Sequence, residues 1–428
     1  MVAISAPQTS IPRTLGTQAS VAWLRRFART TPGVLGIVAA VIAAACVITG
    51  VVIGGQLDSR IAQSNAVLDH AEPLAYASQN LYAALSAADA AAASAFLSGG
   101  VETAPVRARY RQALADAAAA LTDVTAGATD AETRSAAAKT SAELSAYTGL
   151  VESARANNRQ GFPIGSAYLR EASSLMQTSM LPSAQKIYTD KLAALDSDQR
   201  AVSSLPVVGL VLLVIVLAAI GVGSAIASAR TNRTLNLGLV VAGAIVLAVI
   251  GWTVAATQLA AGAIDGSRTE GTARFEELAK ARILAQQART DETLQLIARG
   301  DITAGEEAFN SHIGDLGAAL EAGPVEALDG VRQWNVSHRR QVEAYLGGDY
   351  PGAVQQAISG DPAGSEAQFN IVDASVRAEI EQTRATLRDR VSTAGDFLAW
   401  SPTGTLVLMV LAAAGTVVGL WPRLKEFL

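Results

Sequence analysis

Side chains that usually carry chemistry are sparse in this sequence. Its three histidines, His70, His312 and His338, lack the i, i+4 spacing of a helical metal site, and no His-Glu-x-x-His or nucleophile-elbow motif occurs. The lone cysteine, Cys46, excludes an intrachain disulfide and a Cys-rich metal cluster. It follows Ala43-Ala44-Ala45, as a lipidated cysteine would, but the apolar run continues to Ile53, so a small residue within a membrane helix is the simpler reading. No stretch alternates as a strand does, so no glycine-rich phosphate loop has a strand to follow. The expectation is a non-enzymatic protein without metal or cofactor, its histidines solvated on helices. Arg107, Arg109 and Arg111 cluster at one helix start, and Arg339 and Arg340 lie on another helix. Solvated faces explain them most simply; capture of an acidic ligand such as an amino acid carboxylate is the sharper alternative.

The elements that must position such groups are set by four apolar runs, 33–55, 206–228, 235–257 and 402–421, none of which contains Asp, Glu, Lys, Arg or His. Each is about long enough to cross ~30 Å of hydrocarbon as a helix, and spans without ionisable residues do not suggest a transporter's ion relay. Two of them meet at Ala229-Arg230-Thr231-Asn232-Arg233-Thr234, a link that joins antiparallel neighbours on one face of a bilayer. Segments 1–33, 229–234 and 422–428 together hold eight Lys or Arg and one acid, against 12 basic and 15 acidic residues in the first intervening block and 13 and 22 in the second. The positive-inside rule therefore places the tail 1–32, the loop 229–234 and the tail 422–428 in the cytoplasm and the two large blocks outside, in a multi-pass plasma-membrane protein with both termini cytoplasmic. Neither block carries a basic field, so nucleic acid is not an expected partner. The lipid bilayer is one, and a second copy of the chain is left open.

Both blocks, 56–205 and 258–401, read as helical. In the first, a long helix reaches Leu97 with only Pro73 to bend it, and Ser98-Gly99-Gly100 stops it. Helices over 106–126 and from an Asp130 cap to about Asn158 follow, and a fourth starts at Ser166, bent at Pro182. In the second, helices over 301–321, 325–346, 353–358 and 365–400 are expected after a first that ends at Gly300. The punctuation repeats: Gly99 and Gly300 are 201 residues apart, Pro163-Ile164-Gly165-Ser166 and Pro362-Ala363-Gly364-Ser365 are 199 apart, and Pro206 and Pro402 are 196 apart. The fold class is thus an all-α membrane protein, with four transmembrane helices and two duplicated extracytoplasmic four-helix bundles.

Two sets of candidate contact residues follow. At the bundle tips stand Gly99, Gly100, Pro163, Gly165 and Ser166, matched by Gly300, Pro362, Gly364 and Ser365; they close turns and cap helices, or dock an external partner. On the cytoplasmic side stand Arg230, Thr231, Arg233, Thr234, Arg423 and Lys425, as the available output surface, with the two threonines also open to phosphorylation.

Four spans with two external bundles, together with Tyr147-Thr148-Gly149-Leu150-Val151-Glu152-Ser153-Ala154-Arg155 and Ala288-Arg289-Thr290-Asp291-Glu292-Thr293-Leu294-Gln295-Leu296-Ile297-Ala298-Arg299-Gly300, resemble the actinobacterial GlnX-type membrane proteins from about residue 20 to the end. That resemblance implies a signal transducer that couples an extracytoplasmic amino-acid-binding lipoprotein, GlnH, to a soluble Ser/Thr kinase, PknG. It brings no ligand-binding motif with it. A structural or scaffold protein of the cell envelope is the rival reading, and an accessory transporter subunit a third.

Overall fold

The computed structural model describes residues 30–99, 104–231 and 236–425. Among them every regular element is helical, as the sequence leads one to expect, and four helical stretches are long and apolar enough to cross a membrane. The described residues divide into two compact units. One takes in the chain to Ala62, Ser204–Ala260 and the chain from Gly395; the other is Gln63–Ser203 with Ala261–Ala394.

The first unit is built on α1 (Thr31–Ala66), α7 (Val207–Thr231), α8 (Leu237–Gly266) and α14 (Ser401–Lys425). Small residues let these helices approach, as in membrane helix packing. Gly209 and Gly223 of α7 lie against Ile53 and Ile42 of α1, and Gly50 of α1 lies against Met409 of α14. Gly238 and Gly419 bring α8 and α14 to near backbone contact, where Asn236 Nδ2 also donates to the Gly419 carbonyl at 3.0 Å. With Gly243 of α8 beside Ile220 of α7, the contacts close a ring in the order α1, α7, α8, α14. The apolar side chains facing away from that ring, such as Val41, Val214, Leu247 and Val410, are exposed.

The second unit contains α2 (Glu72–Leu97), α3 (Ala104–Gly127), α4 (Ala131–Arg159), α5 (Ile164–Leu175), α6 (Leu181–Ser203), α9 (Ala273–Ala298), α10 (Thr303–Ala319), α11 (Val325–Leu346), α12 (Tyr350–Ile358) and α13 (Ser365–Ala399). Helices from both blocks share this unit. The expected bounds of α11 recur, and Asp130 caps α4 by accepting from Thr133 N at 2.7 Å. The bends expected at the two prolines take a different form. A π turn, Val67–Ala71, precedes Pro73 and another, Met176–Met180, precedes Pro182. Proline lacks the N–H that would bond the carbonyl four residues back; those carbonyls belong to Asp69 and Thr178, each inside its π turn. A third π turn, Ser267–Thr272, contains Gly271 packed against Leu387.

α2 and α9 form the centre and are buried on nearly every side. They touch through polar groups: Arg282 Nη1 donates to Asn80 Oδ1 at 3.2 Å, Gln287 Nε2 to Tyr82 Oη at 3.1 Å, and Arg289 Nη2 to Ser94 Oγ at 3.3 Å.

Candidate functional site

Between α2, α3, α9 and α13 lies a cavity of about 910 Å³, a size suited to a small-molecule ligand. Its floor is alanine: Ala77, Ala84, Ala87 and Ala91 along α2, and Ala113 and Ala120 along α3. The contributing α2 positions, from Pro73 to Ser94, recur every three or four residues and so form one stripe about 30 Å long. Alanine keeps α2 and α3 close and leaves open the volume that larger side chains would fill. The opposite wall, from α9 and α13, is polar.

Three groups of charges lie along or behind the cavity's polar side. At one end Glu72, buried, accepts from Arg384 Nε at 2.6 Å and Arg388 Nη1 at 2.8 Å. The Arg384 guanidinium lies 3.4 Å from the Tyr76 ring centroid, and the Tyr76 hydroxyl donates to Glu381. In the middle, Asp373 Oδ1 accepts from Arg282 Nε at 3.0 Å and Gln286 Nε2 at 3.2 Å, and its Oδ2 from Arg377 Nη2 at 3.0 Å. Burial works to raise the Asp373 carboxyl, and the two guanidinium groups more than offset it, so Asp373 stays ionised.

At the far end Arg109 of α3 pairs with Glu366 of α13, whose other oxygen is 3.9 Å from Arg289 Nη2. Arg289 Nη1 donates to Glu292 Oε2 at 2.7 Å and to the Ala357 carbonyl at 3.0 Å. Behind it Glu292, fully buried, also accepts from Trp334 Nε1 at 3.1 Å, and its Oε1 lies 3.1 Å from His338 Nδ1. His338 Nε2 is 2.9 Å from Glu306, and Phe309 stacks on the ring at 3.6 Å between centroids. Burial opposes charge on His338, but the two carboxylates outweigh it and hold the imidazole up to about 9. Burial likewise works to raise Glu292, and His338 and Arg289 bring it below the ordinary carboxylate range. The cluster is therefore a run of alternating charges, three cationic and three anionic, reaching from the cavity into the core.

A separate buried acid, Asp89, accepts from Ser173 Oγ at 2.8 Å, Gln177 Nε2 at 3.2 Å and Tyr147 Oη at 3.3 Å. No cation joins it in these contacts, and burial raises its carboxyl despite the three hydrogen bonds.

The structure places the sequence-derived candidates unevenly. Gly99 has φ of +88° and ends α2. Pro163 is exposed; Gly165, in the first turn of α5, is buried where a Cβ would sit 3.0 Å from the Ala154 carbonyl; Ser166 Oγ donates to the Pro163 carbonyl at 2.9 Å. Gly300 accepts from Tyr345 Oη at 3.0 Å. Pro362 is exposed, whereas Gly364 and Ser365 are buried, the latter with its Oγ 3.0 Å from Ser337 Oγ. Thus the surface at the first turn is formed by neighbours of those glycines: Phe162 and Ile164, both exposed. Arg230 and Thr231 close α7, and Arg423 and Lys425 lie in α14. Gly100, Arg233, Thr234 and the tail 1–29 lie outside the described residues.

His338 is in the core rather than solvated, and Arg109 has a carboxylate partner from the other block. Arg282, Gln286, Arg289 and Asp373 were not singled out by spacing. The signal available was the i, i+4, i+7 placement of residues 282, 286 and 289, which puts the three polar side chains on one face of the helix.

Residues 63–200 match a family model described as an actinobacterial sensor domain. That stretch contains the α2 and α3 sides of the cavity together with the Asp89 cluster, and it supports a sensor protein of actinobacteria. No curated protein and no solved structure matches the chain.

Proposed function

We propose that the chain is a non-enzymatic transmembrane signal transducer, duplicated in its span-bundle-span plan, which relays extracytoplasmic amino-acid availability to a cytoplasmic Ser/Thr kinase. The observation that carries the reading is the sensor-domain match over 63–200, which begins within one helical stretch able to cross a membrane and ends within the next. Duplication draws support from the π turns at Val67–Ala71 and Ser267–Thr272, which begin 200 residues apart, close to the offsets of the glycine and proline punctuation.

In this reading an amino-acid-binding lipoprotein docks on the bundle tips. Exposed Phe162 and Ile164 offer the apolar contact, while Gly99 and Gly165 shape the turns. The helical runs Gly33–Leu97 and Leu237–Ala298 each join an apolar segment to a bundle helix, so a rigid-body shift has a direct path inward. Output passes through Arg230 to Thr234 and through Arg423 and Lys425, which recruit the kinase. Photocrosslinkers at Thr231 and Arg423 in native membranes test this. Capture of a soluble Ser/Thr kinase, lost on deletion of 229–234, is the expected result; no kinase captured and signalling intact after deletion sinks the proposal.

A further inference from the structure

We propose that the 910 Å³ cavity is itself a ligand site, for an organic monocarboxylate with a slender aliphatic body. Arg282 anchors the argument. Its side chain is only 8% exposed and lines the cavity. Nε is committed to Asp373 and Nη1 to Asn80, and Nη2 has no acceptor among the described residues. A buried guanidinium with donors left over is poised for one more acceptor. Arg377 stands beside it on the same carboxylate, with its side chain 57% exposed. Two guanidinium groups share the single carboxylate of Asp373, so among the hydrogen-bonded groups at the middle of the wall the cations outnumber the anions by one.

That surplus defines the ligand's charge. A carboxylate with one negative charge neutralises it and can accept from both arginines. A dianion would leave excess negative charge beside Asp373, and exposed Asp116 and Asp123 on the α3 side oppose a polyanion further. The alanine floor defines the ligand's body. From Asn80, which holds Arg282, Ala84, Ala87 and Ala91 follow on the same stripe, so a carboxylate at Arg282 has about 16 Å of alanine floor along one side of its path, with Gln286 and Arg289 along the other. An unbranched chain of roughly eight to ten carbons, about 9–11 Å long when extended, fits within that length.

This site goes beyond the relay reading, on which it rests only for its biological consequence, because binding is measured without lipoprotein or kinase. The experiment is calorimetric titration of octanoate into the full chain in nanodiscs, with empty nanodiscs subtracted and inorganic phosphate as the bare-anion probe. Saturable octanoate binding is expected, with phosphate at least tenfold weaker. Arg282→Gln should weaken octanoate on the order of tenfold through loss of a charge-assisted contact. Ala87→Phe keeps every charge and fills the floor, and should weaken it as much while leaving the helical circular dichroism unchanged. Should Arg282→Gln fail to fold, Ala87→Phe decides. No saturable octanoate binding, phosphate binding as well as octanoate, or octanoate binding indifferent to Ala87→Phe overturns the site, whatever the crosslinking to a kinase shows.

Discussion

Raising the pH should loosen the helical unit through one residue, His338. In the folded protein its imidazole is held up to about 9 by Glu292 and Glu306, against 6.5 for the free group. A group whose folded pKa lies above its unfolded value contributes stability that is fully present below the unfolded pKa and is lost as pH rises through the folded one. The window is therefore pH 6.5 to 9. A difference of roughly 2.5 units, at 1.36 kcal/mol each, corresponds to about 3 kcal/mol. The side chain is only 2% exposed, so solvent screening removes little of it. In a unit of this size about 3 kcal/mol corresponds to a fall in unfolding midpoint of roughly 6 to 12 °C. Other groups titrate in the same window, so the measurement is a difference. Unfolding midpoints of the full chain in nanodiscs are recorded from pH 6 to 10 for the wild type and for His338→Gln, which cannot be charged. The variant should start lower at pH 6 and converge on the wild type by pH 10. Parallel curves across the whole range would refute the argument that a charged His338 is what joins Glu292 to Glu306.

The Asp89 carboxyl is raised by burial and has no cation among its hydrogen-bond partners, so Asp89→Asn should stabilise the unit at neutral pH by on the order of 1 kcal/mol, seen as a higher unfolding midpoint. A fall in midpoint would mean that the carboxylate is needed as an acceptor. At Gly271 a Cβ would stand 2.8 Å from Leu387 Cβ and 3.1 Å from Leu387 Cα, so Gly271→Ala should cost about 1–3 kcal/mol by the same assay. Gly238→Ala puts a Cβ 2.4 Å from Gly419 Cα and 2.5 Å from the Gly415 carbonyl; engineered cysteines on α8 and α14 that crosslink in the parent chain should then crosslink more slowly.

How much of this was legible in the sequence depends on which physical signal each feature leaves. Helix ends were legible where a residue does the ending: the Asp130 cap, Gly99 in the left-handed region, and the Gly-Pro break before Val325. The π turns were not, because a π turn leaves the apolar pattern nearly intact; only the prolines four residues beyond Asp69 and Thr178 hinted at it. The cavity was half legible. Its alanine stripe on α2 could be read as close helix approach, but the same alanines create a void only when the facing helix brings polar side chains instead of leucines. Spacing cannot tell a polar stripe facing water from one facing a neighbouring helix, so Arg109 and His338 read as solvated and Arg282 did not stand out.

What the buried charges contribute follows from the same comparison. Arg289 and Glu292 are almost wholly removed from water, and desolvating such a pair offsets most of its attraction, so it adds little net stability over an apolar pair of equal volume. Its effect is on register. Arg289 must find Glu292, the Ala357 carbonyl and Ser94 at once, contacts that reach α9, α12 and α2. Sliding α9 by one turn along α2 would still leave buried alanines on both helices to allow a close approach, but would strand Arg289 and Arg282 together. Alanine therefore lets the two central helices approach, and the arginines fix where. An interface with a low apolar preference for any one register, pinned by a few exchangeable polar contacts, is one whose alignment would shift only under a ligand that binds one register more tightly than another.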